Sequence, residues 1–230
     1  MKKNNGETKK RKGGKGKRKG SGFERESCKD LSLYITKGER KDIFGRSDSS
    51  GARFTQASKG ESESQAGDFT YTHELGIPFM SVFCVECKSG YGKKKKLKDE
   101  DGEVMGELQK QWDLLDCIDS KQAVPKFISM WSQCEKDSIL TSREPLLIFR
   151  RNLRSKCIVF SELTMIGLEE HFGSPGCKCI VYNKVSSEPA NVYIMSLKDF
   201  FEWIPDISLY LNSRIAEKTA KTNLKASNLK

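Results

Sequence analysis

Long apolar runs are missing from this 230-residue chain. None approaches the ~18–20 residues that a membrane span needs, and no apolar segment of secretory type follows the initial lysines. Histidine is scarce: His73 and His171 are the two present, and they complete no zinc-ligand pattern. Eight cysteines do not change that. Cys84-Val85-Glu86-Cys87 has the C-x-x-C spacing, but in a strand residues three apart face opposite sides. Cys177-Lys178-Cys179 is spaced too closely for a zinc knuckle. Cys28, Cys117, Cys134 and Cys157 sit in apolar or amphipathic contexts, where a free cysteine acts as a small hydrophobe. These absences predict reduced thiols, no zinc, no membrane and a soluble intracellular protein. The expected location is the cytoplasm (the host's, for a viral source), or the nucleus only for a eukaryotic one.

Charge is abundant but unevenly placed. Charged residues make up 31% of the chain and hydrophobic residues only 36%, which suggests a folded core with solvated tails. Of the net charge of +10, residues 1–20 carry +9, from ten Lys/Arg against Glu7 alone. The other 210 residues are therefore close to neutral. Residues 9–20, KKRKGGKGKRKG, contain no apolar side chain and cannot fold alone. They read as an arm for phosphate backbones, a solubilising tail or an import signal. On the first reading Lys10, Arg11, Lys12, Lys17, Arg18 and Lys19 bind nucleic acid.

Periodicity outlines the remainder. Phe23, Ser27, Leu31 and Tyr34 form a helical stripe with Cys28 and Ile35 beside it, ended by Lys37-Gly38. Residues 42–46 predict a short strand, and 47–67 a long polar loop containing RSDSSGAR. Strands are expected at 67–73 and 79–88, joined by a turn at Gly76–Pro78. Residues 93–103 look like a charged, mobile insertion. Helices are expected at 104–118 and 124–139, the second with Phe127, Ile128, Trp131, Cys134 and Ile139 at helical spacing. Strands follow at 145–149 and 156–160, then helix 162–172, strands 178–183 and 191–195, and helix 197–204. Residues 212–230 read as a frayed polar end. No internal repeat is visible. This order predicts an α/β fold, a mixed sheet with helices on its faces.

One strand ends oddly. Val82-Phe83-Cys84-Val85-Glu86-Cys87-Lys88-Ser89-Gly90 begins apolar and then presents a carboxylate and an ammonium. Alternation puts Glu86 and Lys88 on one face with Val82 and Cys84. They could form a surface ion pair of little worth, or half of a metal-dependent site. A hairpin centred on Ile77 sets Asp68 opposite Glu86, with Cα atoms about 4.5–5.5 Å apart. Two carboxylates so placed repel unless something neutralises them. Phosphodiester hydrolysis uses such a pair to hold Mg²⁺, with a lysine nearby for the charged phosphate.

The ordered set Lys19-Gly20-Ser21-Gly22-Phe23-Glu24-Arg25-Glu26, RSDSSGAR, Gly67-Asp68 and Val85-Glu86-Cys87-Lys88 resembles the PD-(D/E)xK nuclease superfamily. More narrowly, it is similar to archaeal Holliday-junction resolvases and related phage proteins. The likeness covers residues 19–90, with a weaker one through the Trp131 helix and strand 145–149. It implies direct metal ligation by Asp68 and Glu86, a water-mediated contribution from Glu24, and Lys88 as the catalytic lysine. Ser50, or its neighbour Ser49, would be the loop serine, and Arg46 and Arg53 would grip phosphates. Gln133 is a further candidate on its helix. The cofactor implied is Mg²⁺, with Mn²⁺ as a substitute.

The expected organisation is a disordered basic tail (1–20), a restriction-endonuclease-like core (21–161), a C-terminal α/β extension (162–211) and a flexible tail (212–230). The expected function is a Mg²⁺-dependent endodeoxyribonuclease acting on branched DNA, with a homodimer as one possible assembly. Alternatives are a duplex nuclease of restriction or repair type and a non-catalytic DNA-binding protein of the same fold.

Overall fold

The apolar run that carries Glu86 becomes an edge strand of the main sheet. The computed structural model describes residues 15–47, 66–90, 93–110, 116–119, 124–176, 178–183 and 190–227. In it, β3 (Phe83–Ser89) lies parallel to β6 (Glu144–Arg150), with Glu86 beside Leu147 and Lys88 beside Phe149. Antiparallel neighbours continue the sheet: β7 (Lys156–Ser161), β9 (Ala190–Ser196) and finally β8 (Cys179–Asn183). The strands after residue 161 thus share one mixed five-stranded sheet with β3. The α/β class expected from the sequence is the class observed.

Helices cover both faces. On one side α1 (Lys15–Ile35), α5 (Glu162–Phe172), α6 (Leu197–Trp203) and α7 (Ser208–Ser227) bury a core that includes Phe23, Leu31, Val85, Ile148, Phe160, Met165, Phe200 and Tyr210. On the other, α4 (Lys126–Leu140) packs Phe127, Ile128, Trp131 and Cys134 against Leu147, Phe149 and Val159. The short α3 (Asp116–Asp119) lies near it. Alternation sends neighbouring strand residues into opposite cores, so both faces of the sheet are covered. Among the described residues, no helix is long and apolar enough to cross a membrane.

Several local expectations are corrected. Residues 77–82 form a helix, α2 (Ile77–Val82), in place of the strand expected from Phe79. Pro78 stands in its first turn, where the missing N–H costs nothing, and Phe79, Met80 and Val82 turn into the core. Consequently β2 (Phe69–Tyr71) pairs with β1 (Phe44–Arg46) and forms no hairpin with β3. Residues 93–110 form a ribbon, β4 (Lys93–Lys98) with β5 (Val104–Lys110), in place of the expected insertion and helix. Its turn is chemical: Gly102 adopts φ 84°, and the Asp99 carboxylate accepts from the Glu103 N–H at 2.7 Å. Helix α1 starts at Lys15, inside the expected tail. Ile139, grouped by its helical spacing with Phe127, Ile128, Trp131 and Cys134, is 76% exposed while those four are buried.

The expected frayed end is the 20-residue α7, and its docking has an electrostatic cause. Glu144, at the start of β6, accepts hydrogen bonds from Tyr210 Oη (2.5 Å), Thr164 Oγ1 (2.8 Å) and Arg214 Nε (2.5 Å). Gly167 gives the Tyr210 ring its room, since a Cβ there would sit 2.9 Å from it. Replacing Glu144 by Ala strands a buried hydroxyl and a half-buried guanidinium. The expected loss is about 3 kcal/mol, or ~6–12 °C in melting temperature. Thermal unfolding followed by circular dichroism checks it; a shift under about one degree would show that α7 docks by apolar packing alone.

Candidate active site

An edge strand presents N–H and C=O groups with no ladder partner. On β3 that edge is met by Asp68. The Asp68 N–H donates to the Val85 carbonyl at 2.7 Å, and the Cys87 N–H donates to Asp68 Oδ2 at 2.8 Å. The carboxylate therefore takes the place of a ladder carbonyl, and its two bonds straddle Glu86. The expected hairpin is absent, yet Asp68 reaches the flank of Glu86 by this sideways route.

Three features force the approach. Gly67 adopts φ 90°, and a Cβ there would lie 2.7 Å from the Val85 carbonyl oxygen, so no other residue fits. Ser47, itself buried, holds the loop by two bonds: its N–H donates to the Asp68 carbonyl (2.9 Å) and its Oγ–H to the Gly67 carbonyl (2.6 Å). Arg143 holds it from beneath, donating through Nη2 to Ala66 O (3.0 Å) and through Nη1 to Met80 O (3.1 Å) and Phe83 O (3.5 Å). One guanidinium thus ties the Asp68 loop, α2 and the start of β3 together.

The structure brings Glu24, Arg46, Asp68, Glu86 and Lys88 into one neighbourhood. Lys88 Nζ donates to Glu86 Oε1, and Arg46 Nε donates to Glu24 Oε2. Asp68 and Glu86 are buried, at 8% and 4% exposed. Burial, followed by the charge of Glu86 and, less strongly, of Glu24, pushes the Asp68 carboxyl up to about 8, against the pull of the Cys87 amide and Lys88. Burial also raises Glu86, although Lys88 opposes it. The same negative field, added to burial, helps push the Cys28 thiol up to about 12. Cys84 lies towards Cys134 and Cys87 towards Cys28, on opposite faces as alternation requires.

Other expected residues fall elsewhere. Ser49, Ser50, Arg53, Lys10, Arg11 and Lys12 lie outside the described residues. Lys17, Arg18 and Lys19 are placed on α1 by their backbone. Gln133 is exposed on α4. One turn beyond it stands a residue that no sequence motif singles out: Asp137, half-buried, raised by burial and lowered by the charge of Lys88. Its one signal is its position three residues after the buried Cys134. Ser47 and Arg143 also escape the sequence, because they act through backbone carbonyls that no motif records.

Two desolvated carboxylates side by side, with the charge of Glu86 holding Asp68 further from ionisation, form a donor set suited to a hard divalent cation. Among the described residues, no group of three or more His, Cys, Asp or Glu is set closely enough to hold a metal ion. An ion here would take Asp68 and Glu86 together with water, as Mg²⁺ does when it keeps several waters. Comparison with protein-family models, with curated proteins and with solved structures finds no match to this chain.

The raised Asp68 carboxyl has a consequence for stability. The folded state keeps this proton up to about pH 8, while the unfolded chain releases it near the ordinary aspartate value of 3.8. Stability from this group is therefore fully present below about pH 4 and is lost as pH climbs to about 8. Without divalent cations, Asp68→Asn should flatten that decline and melt roughly 5 °C above the parent at pH 8. Melting curves from pH 5 to 9 decide it; parallel curves for variant and parent would show that Asp68 is not held against its charge.

Proposed function

We propose that the chain is a Mg²⁺-dependent endodeoxyribonuclease of the PD-(D/E)xK type, with branched DNA such as a four-way junction as its substrate. One observation carries the reading. Two buried carboxylates, Asp68 and Glu86, converge at the edge of a strand that also bears Lys88, and Glu24 stands beside them. Burying acids this way works against stability, which proteins tolerate where function requires it. The element order supports it too: α1, the β1–β2 pair, β3, then α4 leading to a parallel β6. A restriction-endonuclease-like core has that succession.

In this reading Asp68 and Glu86 hold Mg²⁺, which supplies charge neutralisation on the phosphate and a lower pKa for the attacking water. The chain's own side chains do the rest. Lys88 is kept beside Glu86 by its ion pair and offers an ammonium to a non-bridging phosphate oxygen as negative charge grows there. Arg46, now held by Glu24, offers a guanidinium suited to a phosphate. Gly67, Ser47 and Arg143 keep the Asp68 carboxylate in register, so no loop need reorganise to form the pair. In hydrolysis the water oxygen bonds phosphorus as it gives up a proton to solvent, the bond to the leaving sugar oxygen breaks, and that oxygen takes up a proton from solvent, so none is gained or lost overall.

A second reading fits one feature of the site equally well. Both cations of the site are already ion-paired, Lys88 with Glu86 and Arg46 with Glu24. A non-catalytic DNA-binding protein would look the same in this respect. It would not explain why two acids are buried together.

Cleavage of a four-way junction, a flap, a linear duplex and a single strand with Mg²⁺ tests the proposal. The junction should be cut fastest, and Glu86→Ala should lower its cleavage at least ~10³-fold while leaving binding intact. Equal cleavage by variant and parent would remove Glu86 from the site, and no cleavage of any substrate would favour the binding protein. Removing residues 1–20 should weaken DNA binding and flatten its salt dependence, by about 0.9 in log–log slope for each phosphate that the tail neutralises. An unchanged salt titration would make the tail a solubiliser.

A further inference from the structure

The turn between β6 and β7 puts a large apolar side chain where none of the described residues covers it. Leu153 is 103% exposed, more than any other large hydrophobic residue among those described. It also adopts φ 57°, the left-handed region, which costs an ordinary residue roughly 1–2 kcal/mol. Asn or Gly would sit there cheaply. Single exposed apolar residues are ordinary on protein surfaces; one held out on strained backbone between two arginines, Arg151 and Arg154, is not.

The base of the turn is anchored rather than loose. The Gly90 N–H donates to the Arg150 carbonyl at 3.0 Å, and Asn152 Nδ2 donates to the Gly90 carbonyl at 3.0 Å. The turn is thereby tied to the residue that follows β3, the strand of Glu86 and Lys88. Gly90 stands four positions after Glu86, about 13 Å along a strand. Below it, the Arg150 guanidinium lies 4.9 Å from the Phe23 ring centroid and bonds Glu26 at 2.9 Å. The Arg154 N–H donates to the Arg151 carbonyl at 3.2 Å and closes the turn. Arg154 is exposed and Arg151 half-exposed.

We infer that this turn is a DNA probe: Leu153 enters an opened base step, and Arg151 and Arg154 contact the phosphates on either side. Apolar wedges of this size part base steps at a cost of a few kcal/mol per step, which is least where stacking is already broken. A branch point is such a place. Arginine suits the flanks because its planar fork matches phosphate oxygens. The inference deepens the nuclease reading and rests on it for the choice of substrate: the wedge would seat the branch point a fixed distance from Asp68 and Glu86. Its test reads binding and stacking, not cleavage.

The full chain, in EDTA, is titrated onto a four-way junction and a linear duplex, each with 2-aminopurine at the central step. The parent should raise junction fluorescence as that base unstacks. Leu153→Gly relieves the strained backbone, so it should melt at or above the parent, and it should lose the fluorescence rise. Its junction affinity should fall about 10-fold, as expected for a missing wedge, with duplex affinity unchanged. Leu153→Met, which keeps a wedge, should restore both signals. Equal fluorescence and equal junction affinity for Leu153→Gly and parent would overturn the inference. So would a change confined to self-association in sedimentation, which would mark a protein contact. A chain that never cleaves but shows the Leu153-dependent signal keeps the wedge and loses the nuclease reading; cleavage with no such signal does the reverse.

Discussion

Two carboxylates kept out of water at the edge of one strand are the constraint around which this molecule is arranged. Asp68 docks on β3 as though it were the next strand, but gives the ladder a side-chain oxygen instead of a carbonyl. That substitution brings an acid to the flank of Glu86 while satisfying the Cys87 amide, which would otherwise be an orphaned donor. The cost is electrostatic. Burial and the charge of Glu86 lift Asp68 to about 8; burial also raises Glu86, and Lys88 offsets part of that. A polar pair that works against stability has to be held by the fold, and the structure shows what holds it.

The restraint comes from residues with no chemistry of their own. Gly67 permits the close approach, Ser47 and Arg143 bind the loop's carbonyls, and the same guanidinium reaches the Met80 carbonyl of α2 and the Phe83 carbonyl that follows it. Far along the chain, α7 returns to the N-terminal end of β6, where Glu144 gathers Tyr210, Thr164 and Arg214. Lys218, one turn on, donates to the Ser81 carbonyl of α2 at 2.9 Å. Residues 208–227 therefore brace, through α2 and β6, the elements on which the candidate site stands. A wholly apolar sheet would need less of this scaffolding.

Much of the architecture is legible in the sequence because it rests on periodicity. Helix 162–172 has the bounds its spacing predicts, and the stripe of α1 and the pair β6–β7 follow from apolar spacing alone. The departures are governed by turn chemistry or long-range partners. The Ile77–Val82 helix reads as strand because Phe79, Met80 and Val82 are apolar, and Pro78 suits a turn as well as a helix start. The Asp99–Gly102 turn lies hidden in a run of charge, so the β4–β5 ribbon divides on paper between an insertion and a helix. Residues 212–227 are largely polar, and Glu144, 70 residues upstream, is the long-range partner that anchors Arg214, which also pairs with Glu217 on its own helix. At the candidate site, the adjacency of Asp68 and Glu86 is expected from a hairpin that does not exist and is realised by an edge contact instead. Arg143 and Ser47 cannot be seen from sequence, since they recognise carbonyls, which every residue has.

On the proposed function, the Asp68–Glu86 pair receives a divalent cation. A Mn²⁺ titration of the full chain followed by electron paramagnetic resonance addresses it without DNA or turnover. The chain should take up Mn²⁺ with loss of the free-ion signal, Mg²⁺ should compete for the same site, and Asp68→Asn should abolish uptake while leaving the fold intact. Uptake unaltered by Asp68→Asn, or none by the parent chain, would contradict it.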